Sequence, residues 1–207
     1  MKLIPIILAA LIFSVCERPP APKEPDHSMH DHANANNHAA MDHAKMESSP
    51  GAAAAQQELQ FLDTMIVHHQ GAIDMAQLVN TRSQRPEMKT LAQTIIAEQR
   101  NEISQMQAWR NKWFGEAKAA INMDFPGMRT GMTGMDMAKL DSLKSNEFDL
   151  EFLRQMIPHH EGSIEMAKAL KSNDSYAELK DLSDSIVTAQ TAEIQQMKSW
   201  LGIWSSK

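Results

Sequence analysis

Two adjacent histidines occur twice in this chain, each time inside the same frame of residues. The first frame reads Phe61-Leu62-Asp63-Thr64-Met65-Ile66-Val67-His68-His69-Gln70-Gly71-Ala72-Ile73-Asp74-Met75-Ala76, and the second Phe152-Leu153-Arg154-Gln155-Met156-Ile157-Pro158-His159-His160-Glu161-Gly162-Ser163-Ile164-Glu165-Met166-Ala167. Imidazole nitrogens and thioether sulfurs both bind metals. Met65 stands three residues before His68, and Met156 three before His159, so each Met–His pair shares one face of a helix. A bundle site for hard iron would place Glu-x-x-His there. Thioether in place of carboxylate shifts the preference towards copper, with Cu(I) favoured, while imidazole also admits Cu(II).

The register of the two frames extends well beyond them. The offset from Phe61 to Phe152, 91 residues, also carries Glu87 to Glu178, Leu91 to Leu182, Gln99 to Gln190, Glu102 to Glu193, Met106 to Met197, Trp109 to Trp200 and Trp113 to Trp204, with no gap. Glu102 and Glu193 fall on otherwise apolar helix faces, where an unpartnered carboxylate is expensive. The candidate ligands are therefore Met65, His68, His69 and Met75 facing Glu102 and Met106, and Met156, His159, His160 and Met166 facing Glu193 and Met197. Each Glu could bind the ion, or could accept from a ligating imidazole's other N–H and fix its tautomer. The plainer reading is a satisfied core network, with Met75, Met106, Met166 and Met197 as core filler.

Stepping outward, these residues need four helices to position them. The 3.6-residue period predicts helices over 56–80, 86–114, 147–171 and 176–204. Pro86 suits a first-turn position, whereas Pro158 lies inside the third helix and is expected to kink it. Gly71 and Gly162 are expected to allow close helix approach, and Trp109, Trp113, Trp200 and Trp204 to close the bundle ends by packing. Four amphipathic helices in two repeated hairpins imply an antiparallel four-helix bundle occupying 56–204. The joining segment 115–146 holds Met123, Met128, Met132, Met135 and Met137 among glycines. It is expected to be a mobile loop whose thioethers gather a soft cation, the plainer reading being a loop that packs its methionines loosely over the bundle.

The chain opens with a short positive start and an apolar run, Leu3 to Val15, that reads as an export signal. It ends at Cys16, the only cysteine. A cysteine so placed looks like the acylated residue of a bacterial lipoprotein, which predicts a periplasmic, outer-membrane or envelope location. Residues 17–55 read as a disordered linker, and five of the nine histidines lie in it. His27, Met29, His30, His32, His38, Met41, His43 and Met46 form a tract suited to flexible metal capture. A formal charge of −6 offers no basic stripe for phosphates, which argues against a nucleic-acid partner.

The doubled Phe-Leu-x-x-Met-Ile-x-His-His-x-Gly-x-Ile-x-Met-Ala pattern, each copy followed by Gln-x-x-Glu-Ile-x-x-Met-x-x-Trp, resembles the CopM-like family over about residues 56 to 204. The resemblance implies a ferritin-like four-helix bundle, an extracytoplasmic location, and copper binding through His and Met. Carried onto this chain, it points to Met65, His68, His69, Met75, Met156, His159, His160 and Met166, supported by Glu102 and Glu193. The expected function is copper sequestration or shuttling, with metal ions and a copper-efflux or copper-chaperone protein as partners. The alternatives are a ferritin-like metal oxidase or copper redox enzyme, and a bundle that binds no metal.

Overall fold

Proline and helical period decide where this chain turns. The computed structural model describes residues 46–170 and 176–206. A 3₁₀ turn at Ala52–Ala54 is followed by α1 (Gln57–Arg82), α2 (Pro86–Phe114), α3 (Met128–Met132), α4 (Met137–Ser142), α5 (Ser145–Ala169) and α6 (Ala177–Trp204). Among the described residues there is no strand. The architecture is the all-α bundle of two hairpins that the repeat predicts: α1 pairs with α2, α5 pairs with α6, and the hairpins meet along α1 and α5. Pro86 occupies the first turn of α2. α5 runs from Ser145 to Ala169 without interruption at Pro158. Arg154, whose carbonyl loses its usual donor there, lies on an exposed side of the helix where water can take its place.

The four long helices are not equivalent. α1 buries residues around most of its circumference, from Phe61, Leu62 and Met65 to Ala72, Met75 and Val79, and α5 does the same with Phe148, Phe152, Leu153, Met156 and Met166. α2 and α6 bury a single stripe each: Met88, Leu91, Ile95, Gln99 and Met106 on one, Leu179, Leu182, Ile186, Gln190 and Met197 on the other. α1 and α5 thus form the centre, with α2 and α6 outside them. Trp109 stacks on Trp113 at 5.6 Å between ring centroids and Trp200 on Trp204 at 5.2 Å, one turn apart on α2 and on α6.

The segment between the hairpins differs from its expected form. Instead of a mobile loop it folds into α3 and α4 and covers α5 and α1 on the side away from α2 and α6. Met123, Met128, Met132 and Met135 are buried in the main core, and Met137 packs partly buried against it. Glycine is the reason. Gly127 takes a left-handed φ of 88°, and a Cβ there would collide with the Gly162 carbonyl of α5. A Cβ on Gly162 would in turn stand 2.5 Å from Gly131 Cα. The residues that suggested mobility are those that let backbone meet backbone.

The end of the expected linker is also packed. Ser49 N–H donates to the Ile121 carbonyl at 2.8 Å, Met123 N–H donates to Ser48 Oγ at 2.9 Å, and Met46 lies against the core. Burial of the joining segment predicts that Met128→Ala costs about 2–5 kcal/mol of unfolding free energy. Denaturant melts would check it, since an unpacked loop methionine would change stability by no more than about 0.5 kcal/mol.

Candidate metal centre

Adjacent residues on a helix point about 100° apart, so His68 and His69 cannot face the same partner. His69 turns towards its own hairpin: its Nε2–H donates to Glu102 Oε2 on α2 at 2.7 Å. His160 repeats this on the other hairpin, donating from Nε2 to Glu193 Oε2 on α6 at 2.9 Å. His68 and His159 turn the other way and meet each other across α1 and α5, ring centroids 3.8 Å apart at 36°. All four rings are buried, none more than 1% exposed. Contact between equivalent residues of the two copies places an approximate two-fold axis through the His68–His159 pair.

The carboxylates settle the tautomers of the outer pair. With the proton on Nε2, a neutral imidazole carries its lone pair on Nδ1. The Nδ1 atoms of both His69 and His160 are buried with no hydrogen-bond partner. This is the arrangement in which a carboxylate orients a metal-binding imidazole through its second nitrogen. Of the two roles open to Glu102 and Glu193 in the sequence, the geometry displays hydrogen bonding to histidine.

The methionines divide by their distance along the helices. Met65 and Met156, one turn from the histidines, are fully buried beside them in sequence, and Met65 Sδ accepts from Ser163 Oγ across the α1–α5 boundary at 3.5 Å. Met75 and Met166 are equally buried but stand about two turns, roughly 10 Å of helix, beyond His68 and His159. Met106 and Met197, one turn from Glu102 and Glu193, are fully buried in the core. Among the described residues, no three His, Cys, Asp or Glu side chains converge as a metal-holding group. Cys16, His27, Met29, His30, His32, His38, Met41 and His43 lie outside the described residues.

A groove opens between α2 and α6 in two lobes. One, of about 460 Å³, is lined by Glu98, Glu102, Trp109, Glu178 and Asp181, among others. The other, of about 280 Å³, is lined by Glu87, Leu91, Glu193 and Trp200, among others. The repeat offset exchanges Glu102 with Glu193, Trp109 with Trp200 and Glu87 with Glu178, so the lobes are related by the same axis. Sequence reasoning missed Glu98, which has no counterpart: the second copy carries Ala189 there. Loss of solvation raises its carboxyl above the usual range, Glu193 and Glu102 raise it further, and His160 opposes them.

The domain-of-unknown-function family DUF305 matches this chain over residues 14–110 and again over 58–201. The chain belongs to the DUF305 family. Among solved structures, the DUF305 fold recurs in CopM in its Cu(II)-bound form, 40% identical over 71% of this chain and 97% of that one, with a TM-score of 0.61. CopM in its Cu(I)-bound form is 37% identical over 72% and 99%, with a TM-score of 0.60. A putative secreted DUF305 protein from Streptomyces coelicolor is 29% identical over 72% and 94%, with a TM-score of 0.66. None of the functionally curated proteins matches the chain.

Glu98 gives this DUF305 chain a pH signature. Because its folded pKa is raised, the folded state holds that proton more tightly than the unfolded chain does. Its contribution to stability is thus full below its ordinary value of 4.5 and lost as pH rises through the folded value. Glu98→Ala, which installs the second copy's residue, should raise the melting temperature more at pH 7 than near pH 4. The difference should shrink in high salt.

Proposed function

We propose that the protein binds copper ions as cargo, through His and Met side chains inside the bundle, and sequesters them or passes them on. The observation that carries this reading is the pair of buried Nδ1 atoms on His69 and His160, each left without a protein partner by a ring that a glutamate holds in place. A buried imidazole lone pair with no donor to meet is costly, and a soft cation would satisfy it. Related proteins called CopM have been solved in Cu(II)-bound, Cu(I)-bound and Ag-bound forms, which agrees with this donor chemistry.

In this reading His69 and His160 bind through Nδ1, while Glu102 and Glu193 act behind them by fixing the rings. Met65 and Met156, one helical turn away, supply sulfur. The Met-interleaved tract from His27 to Met46 collects ions. Export, with a lipid on Cys16 holding the chain at the envelope, would place that capture where copper enters the cell, and an efflux or chaperone protein would receive it.

Copper binding to the native state must raise the melting temperature. A fragment starting at Met46 should melt higher with copper, and His69→Ala/His160→Ala should abolish that rise. Glu102→Gln should weaken binding by about 10–100-fold, the usual effect of disturbing a ligand's supporting partner. A bundle that binds no metal would show no copper-dependent shift in any of these proteins.

A further inference from the structure

The groove between α2 and α6 combines apolar side chains with negative charge that the chain does not balance. Each lobe sets a leucine from one helix against a tryptophan from the other: Leu182 and Trp109 in the larger, Leu91 and Trp200 in the smaller. Carboxylates accompany them, Glu98, Glu102, Glu178 and Asp181 in the larger lobe and Glu87 and Glu193 in the smaller. No lysine or arginine is among the described residues that line either lobe. Glu98, Glu178 and Asp181 form no ion pair among the described residues. Glu193 holds His160 through Oε2, while its Oε1 is buried without a hydrogen-bond partner. The Glu98 carboxyl is raised first by lost solvation and then by Glu193 and Glu102, so a cation beside it would relieve like-charge crowding.

Going beyond the copper reading, we propose that this groove docks a cationic amphipathic helix of a partner protein. Its apolar side chains lie on Leu91 and Leu182, and its lysine or arginine side chains meet the carboxylates. A helix fits because the carboxylates recur at one-turn intervals, Glu98 to Glu102 on α2 and Glu178 to Asp181 on α6, the interval at which a helix repeats its own side chains. The lining runs along α2 from Glu87 to Trp109, about 33 Å at 1.5 Å per residue. Trp109 and Trp200 add indole faces that attract a cation. A second copy of this chain is the wrong occupant, because its formal charge of −6 opposes the groove. Two carboxylates break the repeat: Glu98 and Asp181 stand where the offset of the copies puts Ala189 and Thr90. The larger lobe is therefore the more acidic and takes the more basic end of the helix. Glu102 and Glu193 line the groove and hold His69 and His160, so a docked partner reaches the histidine-holding carboxylates without entering the core.

The test is calorimetric titration of the metal-free full chain with a synthetic amphipathic helical peptide of lysine and leucine, so that its outcome is separate from that of the copper reading. A peptide of the same composition, scrambled to remove the amphipathic face, is the control. Wild type should bind the amphipathic peptide more tightly than the scrambled one, and less tightly as salt rises. Glu98→Ala/Asp181→Thr, which installs the residues of the other copy, should weaken binding roughly tenfold, the scale of two lost ion pairs. Asp124→Asn/Glu147→Gln removes the same charge from outside the groove and should change affinity by no more than about twofold, since distant exposed charges are screened. Cooperative melts of both variants would show that each is folded. Carbodiimide coupling, which joins a carboxylate directly to a lysine amine, should link the peptide to Glu98, Glu178 or Asp181. Equal binding of the two peptides, equal loss in the two variants, or coupling confined to carboxylates outside the groove would each overturn the proposal.

Discussion

Four imidazoles held inside an apolar bundle are the constraint around which this structure is arranged. A buried ring must find a partner for its N–H or lose the free energy that water would have supplied. The chain solves this differently for each member of a His–His pair. The outer rings reach a glutamate on the neighbouring helix of the same hairpin, 33 residues further along the chain in both copies. The inner rings turn to the other hairpin and meet each other, centroids 3.8 Å apart and tilted by 36°. Glu102 and Glu193 therefore hold each hairpin to its own buried histidine, while His68 and His159 bring one copy against the other.

That division explains why α1 and α5 lie at the centre. Each carries a histidine facing its own hairpin and a histidine facing the other copy, about 100° apart, so neither helix can leave that arc open to water. The remaining side of each is closed by the joining segment, whose methionines fill it. Methionine suits the task, being unbranched and able to fit an irregular gap. Met65 is fully buried, with its sulfur accepting a hydrogen bond from Ser163.

Much of this was legible in the chain. The ungapped repeat announced two hairpins, Pro86 marked the start of α2, and Glu102 on an apolar face demanded a partner that proved to be His69. The split of each His–His pair was available from the helical period but was obscured by treating adjacent histidines as one unit. The joining segment was misread because glycine has two meanings. Composition reads Gly127 and Gly131 as freedom, whereas here they give up freedom so that backbone can press against Gly162. Nothing local distinguishes the cases, because the deciding atom lies on α5, more than thirty residues away. Glu98 escaped notice for a related reason: loss of solvation inside the folded groove raises its carboxyl most, and Glu193 of the other hairpin adds to it together with Glu102.

The repeat is most informative where it fails. Two copies related by an axis offer paired sites by default, as the two His–Glu pairs illustrate. The joining segment has no counterpart in the repeat and can occupy the axis only once, so whatever it contributes is single. Glu98 is likewise single, in a groove whose two lobes are otherwise exchanged by the repeat. Both departures lie near the boundary between the copies, where a symmetric molecule would have only mutually equivalent contacts to use. A bundle built by doubling one hairpin acquires different sites only through such departures, and this chain places a thioether at one of them and a carboxylate at the other.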